Sequence, residues 1–138
     1  MTNSQQRAQN PSLTILVVDD EPLIRWSLRH GLARRGHQVT EAADAAGALT
    51  VLSVDPGRFD AVILDYRLPD RQDLTLLTEI RRLASRANVW MMTAFGDEPM
   101  RAEAFTLGAR GVIDKPFQVA TVVSVVESEC QSDAKPNA

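Results

Sequence analysis

The order of apolar segments predicts an α/β fold, a doubly wound parallel sheet with helices on both faces. Three observations carry that expectation. Short runs at Leu13–Val18, Asp60–Leu64, Val89–Met92 and Gly111–Ile113 are almost continuously apolar and rich in β-branched residues, as strands covered on both faces are. Gln38–Ala42 is a weaker run of the same kind, second in chain order. Each run is followed by a segment whose apolar residues recur at helical spacing. Strict strand–helix alternation with short connections implies right-handed crossovers between parallel neighbours. It does not set the strand order.

The elements follow in sequence. Asp19-Asp20-Glu21-Pro22 stops the first strand, and Pro22 suits a first helical turn, where its missing N–H is not needed. Ile24, Leu28 and Leu32 form one apolar stripe, and Gly36 can end that helix. Asp44 is placed to cap a helix over Ala45–Leu52, and Pro56-Gly57 is a turn. Leu74, Leu77, Ile80 and Leu83 outline the third helix. The fourth, Glu98–Leu107, turns Met100, Ala104 and Leu107 inward and stops at Gly108. The fifth, Gln118–Glu129, buries Val119, Val122, Val123 and Val126.

A chain of 138 residues suits one domain, and an aromatic content of only 5% makes its expected core aliphatic. Residues 1–12 and 131–138 are polar and read as flexible tails, which leaves 13–130 as the domain. A net charge of -3 argues against a dedicated nucleic-acid surface. Cys130 is the single cysteine, which excludes an intramolecular disulfide and a cysteine-rich zinc site. No apolar run approaches the roughly 18 residues of a membrane span. Met1–Pro11 lacks the apolar stretch of a signal peptide, so the expected location is cytoplasmic.

In an open parallel sheet ligands bind beyond the carboxyl ends of the strands. The first strand ends in Asp19 and Asp20, the third in Asp65, the fourth in Thr93 and the fifth leads to Lys115. Each has a plainer role when taken singly: helix-capping acids near a positive dipole end, a loop acid, a strand end, a Lys-Pro turn. Together they would place carboxylates, a hydroxyl and an ammonium on one edge. Crowded carboxylates repel one another, and a divalent cation relieves that repulsion. All-oxygen ligands without His or Cys favour a hard ion, and carboxylates with waters and a phosphate suit Mg²⁺. Lys115 and Thr93 supply a charge and a hydrogen bond for the same anion. A carboxylate beside such a phosphoryl group can attack it and form an aspartyl-phosphate without a general base.

These residues resemble the receiver domain of two-component response regulators. The resemblance runs from Leu13 to about Glu129 and rests on Asp19-Asp20, on Asp65 in Leu64-Asp65-Tyr66-Arg67-Leu68-Pro69-Asp70, on Thr93-Ala94 and on Lys115-Pro116-Phe117. The wording Val-Val-Asp-Asp-Glu-Pro and Met-Met-Thr-Ala-Phe-Gly is most similar to receivers of the nitrogen-regulator type. The resemblance implies a flavodoxin-like sheet in the order 2-1-3-4-5 with five helices. It makes Asp65 the acceptor of a phosphoryl group from a sensor histidine kinase or phosphotransfer protein. Asp20, Asp65 and the carbonyl of Arg67 would bind Mg²⁺ directly, and Asp19 through water. Lys115 and Thr93 would contact phosphoryl oxygens, with the N–H of Ala94 beside them. Lys115–Pro116 is expected to be cis. Phosphorylation would switch the face formed by the fourth helix, fifth strand and fifth helix. That face would act on a downstream effector or output domain, and dimerisation through it is typical of the family. The protein is then no enzyme in the usual sense, since its only chemistry is on itself.

The sequence departs from the family pattern in three ways. Val112 stands where a Tyr or Phe usually swings inward with the threonine. Asp73 replaces a common glycine and would bring a negative charge close to the site. Arg67 and Phe95 occupy the positions that tune hydrolysis, and a bulky Phe95 obstructing water implies a longer-lived phosphoryl state. Other classes fit less well. A haloacid-dehalogenase-like phosphatase wants a second Asp two residues after its nucleophile, where Asp19 is followed by Glu21. A flavodoxin wants Thr, Ser and Gly where the acids stand. A receiver-like module that no longer takes phosphate is the remaining alternative, kept open by Val112. Arg25, Arg29, Arg34 and Arg35 make the first helix basic, either a docking face for the kinase or a solvated one. Trp26 is expected to fill a gap beside the sheet, and His30 and His37 to lie on the surface.

Overall fold

The structure, a computed structural model, describes residues 12–94 and 96–134. The expected tail 1–12 therefore lies outside the described residues except for Ser12, as do Phe95 and residues 135–138. In chain order the elements are β1 (Thr14–Val18), α1 (Pro22–Ala33), β2 (Gln38–Ala42), α2 (Ala45–Val54), β3 (Ala61–Asp65), α3 (Thr75–Leu83), β4 (Asn88–Thr93), α4 (Glu98–Thr106), β5 (Gly111–Asp114) and α5 (Val119–Ala134). A short 3₁₀ turn, Pro56–Arg58, links α2 to β3. The strands form one parallel sheet in the order β2-β1-β3-β4-β5. Helix α5 runs past residue 130, where the sequence pattern ends the domain.

Alternation along each strand divides the core into two shells. Ile15, Val17, Ile63, Trp90 and Met92 face α1 and α5, where Leu28, Leu32, Val122 and Val126 meet them. Leu16, Val18, Val62, Leu64 and Met91 face the other helices, packing on Ala48, Leu52, Leu77, Ile80 and Ala104. The core is not wholly aliphatic, because Trp90 and Phe59 are among its largest fully buried side chains. Leu83, expected inside, is partly exposed at the end of α3.

The helix ends follow from side-chain chemistry. The Asp44 carboxylate accepts the Gly47 N–H at 2.7 Å, and Asp97 accepts the Met100 N–H at 2.9 Å, capping α2 and α4. Gly36 and Gly108 follow α1 and α4 with φ of +93° and +105°, a left-handed conformation that favours glycine. Asp70, in the loop after β3, reaches back to α2 and takes the N–H groups of Ala45 and Ala46 at 2.9 and 3.0 Å. Those bonds, the one from Ala45 foremost, hold its carboxyl below the usual range.

His30 is exposed, as expected, but His37 and Trp26 differ from expectation. His37 is buried: its Nδ1 accepts the Leu13 N–H at 3.0 Å and its Nε2 lies 2.7 Å from a Glu127 oxygen. Since Nδ1 accepts, Nε2 donates, so the ring joins the start of β1 to α5. Arg35 makes two bonds to the same carboxylate, at 2.9 and 3.0 Å. Trp26 is 52% exposed and stacks on His30 with ring centroids 5.0 Å apart. Its position lies across the helix from the Leu28–Leu32 stripe, which is why it fills no gap by the sheet. Cys130 is buried. Among the described residues no helix is long and apolar enough to cross a membrane.

Replacing Asp44 by Ala removes a cap and is expected to cost about 1 kcal/mol in urea unfolding. Burial alone would raise the Glu127 carboxyl, yet Arg35 and His37 hold it below its ordinary 4.5. A lowered carboxyl stabilises the fold above its unfolded pKa and loses that contribution as pH falls. Wild type should therefore exceed Glu127→Gln in stability at neutral pH, and the gap should close below about pH 4.5.

Candidate functional site

Parallel strands all end on one edge of the sheet, and the residues beyond β1, β3, β4 and β5 converge there. Lys115 is the hub. Its Nζ lies 3.0 Å from Asp19 Oδ2, 3.3 Å from Asp65 Oδ1 and 3.5 Å from Glu21 Oε1. The Lys115–Pro116 peptide is cis. Asp19, Asp65 and Thr93 are buried, whereas Asp20 and Ala94 are exposed. Asp20, Asp65, Arg67, Thr93, Ala94 and Lys115 line a cavity of about 270 Å³, with Glu21 and Tyr66 completing its wall. Asp19 lies beneath, fully buried, and braces Lys115.

The electrostatics follow from this crowding. Burial pushes the Asp65 carboxyl up, the neighbouring Asp19 charge adds to it, and Lys115 only partly offsets both, leaving it at about 6. Burial would lower the Lys115 ammonium, but its bonds to Asp19 and Asp65 hold it above the ordinary lysine value. One oxygen each from Asp19, Asp20 and Asp65 lies within 4.8 Å of the others. Three carboxylates with no nitrogen or sulfur donor fit a hard divalent cation. The backbone N–H of Arg67 donates to Asp65 Oδ1 at 3.3 Å, which curls the loop after β3 around the carboxylate.

The structure brings together Asp19, Asp20, Asp65, Arg67, Thr93, Ala94 and Lys115, the residues expected to hold the cation and the phosphoryl group. It does not bring Asp73 in. That carboxylate accepts from the N–H and hydroxyl of Thr75 at 3.0 and 2.6 Å at the start of α3, so it adds no charge to the cavity wall. Sequence reasoning missed Glu21 as a Lys115 partner, Tyr66 as part of the wall, and Arg25, whose guanidinium donates to the Asp19 carbonyl at 2.6 Å. Glu21 had a signal, since it completes the acidic run after β1. Arg25 had none beyond the basic pattern of its helix. Val112 is half-buried against the same core as Tyr66 and Leu107.

The sequence and the architecture are similar to those of known proteins. The chain is 33% identical over 125 residues to the transcriptional regulatory protein FixJ of Azorhizobium caulinodans, covering 90% of this chain and 58% of that one. It is likewise 33% identical to the DNA-binding transcriptional regulator NtrC of Azospirillum brasilense, covering 91% of this chain and 26% of the relative. The chain thus spans only part of the length of these regulators. Among solved structures, one of a CheX-CheY-BeF3-Mg+2 complex from Borrelia burgdorferi aligns with a TM-score of 0.79 at 28% identity, covering 85% of this chain and 88% of that one. The family profile described as response regulator receiver domain matches residues 15–127, the sheet and the acidic edge together, and the chain belongs to that family of two-component receivers.

Proposed function

We propose that Asp65 is the phosphoacceptor of this receiver, and that its donor is a phosphohistidine on a sensor histidine kinase or phosphotransfer protein. The observation that carries this reading is a buried Asp65 carboxylate that opens into the shared cavity with Lys115 3.3 Å away. An Asp65 oxygen attacks phosphorus. The P–N bond breaks onto the imidazole, which takes a proton from solvent, and an aspartyl-phosphate remains. Lys115 follows the new phosphoryl oxygens as a point charge, exchanging part of its contact with Asp19, and Thr93 donates a hydrogen bond to one of them. The N–H of Ala94 lies beside Thr93 for the same purpose.

The donor set suits Mg²⁺, which Asp20, Asp65 and the Arg67 carbonyl would hold, with Asp19 acting through water. When bound, the ion supplies positive charge against the carboxylates and the incoming phosphoryl oxygens. The Borrelia burgdorferi CheY, solved with BeF3 and Mg+2, supports that choice.

We read the output as the α4–β5–α5 face. An Arg101–Asp114 ion pair joins α4 to the end of β5, directly before Lys115, so a change at Lys115 has a short route to that face. The face would engage an effector or an output domain, or a second copy of the chain. A cytoplasmic setting fits a kinase donor.

Incubation with acetyl phosphate should add one phosphoryl group by intact mass in the presence of Mg²⁺, and none to Asp65→Asn. No gain in a folded, Mg²⁺-supplied wild type would instead favour a module that works without phosphate. The raised Asp65 carboxyl gives two signs. Its folded-state value exceeds its unfolded 3.8, so the cation-free fold loses stability as pH rises from there through about 6. Asp65→Asn should then be more stable than wild type at neutral pH without Mg²⁺, by on the order of 1–3 kcal/mol. A proton on Asp65 also competes with the cation, so calorimetric Mg²⁺ affinity should fall roughly tenfold per pH unit below that value.

A further inference from the structure

The basic first helix is neither wholly a docking face nor a solvated one, because two of its arginines turn back onto the sheet. Arg25 Nε lies 3.1 Å from Glu41 Oε1, and Arg29 Nε lies 2.6 Å from Glu41 Oε2. Glu41 sits on β2, paired in register with Val17 near the end of β1. The other end of the Arg25 fork continues to the site, where Nη1 donates to the Asp19 carbonyl at 2.6 Å. The Arg25 side chain is 18% exposed, so these bonds are shielded from bulk water.

Asp19 is held at every polar atom. Its N–H donates to the Ala42 carbonyl at 3.1 Å, its Oδ1 accepts the Glu21 N–H at 2.8 Å, and its Oδ2 meets Lys115. The carbonyl is the fourth anchor, and Arg25 supplies it. It is also where the chain leaves β1 and turns to present Asp20 to the cavity. A charge-assisted bond at that point restricts the peptide plane between Asp19 and Asp20. The guanidinium is suited to this work, since its planar fork serves Glu41 and the carbonyl at once, which an ammonium on a flexible stem does not.

We infer that Arg25, held by Glu41, is a positioning residue for the divalent-cation site, fixing the Asp19–Asp20 turn before a cation arrives. This rests on the reading of Asp19, Asp20 and Asp65 as the cation-binding set. Arg25 touches neither cation nor phosphoryl group; it acts through the backbone of Asp19. The two strands that end beside each other, β1 and β2, are thereby clamped by one helix.

The test compares wild type with Arg25→Ala, Arg25→Lys, Glu41→Gln and the Arg25→Ala/Glu41→Gln double variant. Mg²⁺ binding is measured by calorimetry, stability by urea unfolding, and acetyl phosphate labelling as a function of Mg²⁺. Loss of a partner that orients a metal ligand typically costs 10–100-fold in affinity, and that is the loss expected for Arg25→Ala. Arg25→Lys should recover little of it. Glu41→Gln should weaken binding too, and the double variant should bind about as well as Arg25→Ala alone, because both act through one contact. Labelling at saturating Mg²⁺ should return to the wild-type extent, with only the half-saturating concentration raised. Unchanged Mg²⁺ affinity in folded Arg25→Ala, or additive losses, would overturn the inference; the conservative Glu41→Gln decides the matter if Arg25→Ala does not fold. A wild type that neither binds Mg²⁺ nor labels would overturn the underlying site reading as well.

Discussion

The structure depends on one electrostatic constraint: Asp19 and Asp65 are buried together, and Lys115 is their shared counter-charge. Burial first, and then the neighbouring Asp19 charge, raise the Asp65 carboxyl, and the single ammonium only partly offsets them. Such an arrangement is poorly suited to stability, and an apolar edge would serve the fold better. Its presence ties the edge to ligand chemistry. The free protein retains a charge imbalance that a divalent cation and a phosphoryl group together can answer.

Parallel topology makes that imbalance compact. Strands β1, β3, β4 and β5 run the same way, so residues far apart in sequence end within one cavity; Lys115 and Asp19 are separated by 96 positions yet bonded at 3.0 Å. The two shells of the core then hold the edge from both sides. The α1–α5 shell carries Arg25 and the His37–Glu127–Arg35 cluster, and the opposite shell carries Tyr66, Val112 and the Asp70 link to α2. Neither shell positions the site alone, since Asp19 is held from α1 and Asp65 by the loop that leads to α3.

What could be read from the sequence was what depends on one element at a time. Strand runs, the Asp44 cap and the glycines after α1 and α4 each have a local cause, and strand ends place Asp19, Asp65, Thr93 and Lys115 without knowledge of packing. Strand order came only with the resemblance. Side chains that join distant elements were illegible. His37 meets a carboxylate 90 positions away, and Asp70 caps a helix 25 positions back. Trp26 is a different case: helical spacing alone puts it opposite the buried stripe, where it is exposed.

The scarcity of lysine has a chemical consequence. Apart from Lys115 and Lys135 the positive side chains are arginines, so few side-chain amines are open to acylation. An acyl phosphate is a mixed anhydride with two electrophilic centres: its phosphorus can be taken by a carboxylate and its carbonyl carbon by a neutral amine. In this cavity both acceptors sit 3.3 Å apart. Ion pairing favours the protonated Lys115, which has no lone pair to offer an acyl carbon. The salt bridges that shape the site thus also guard its one lysine against acylation.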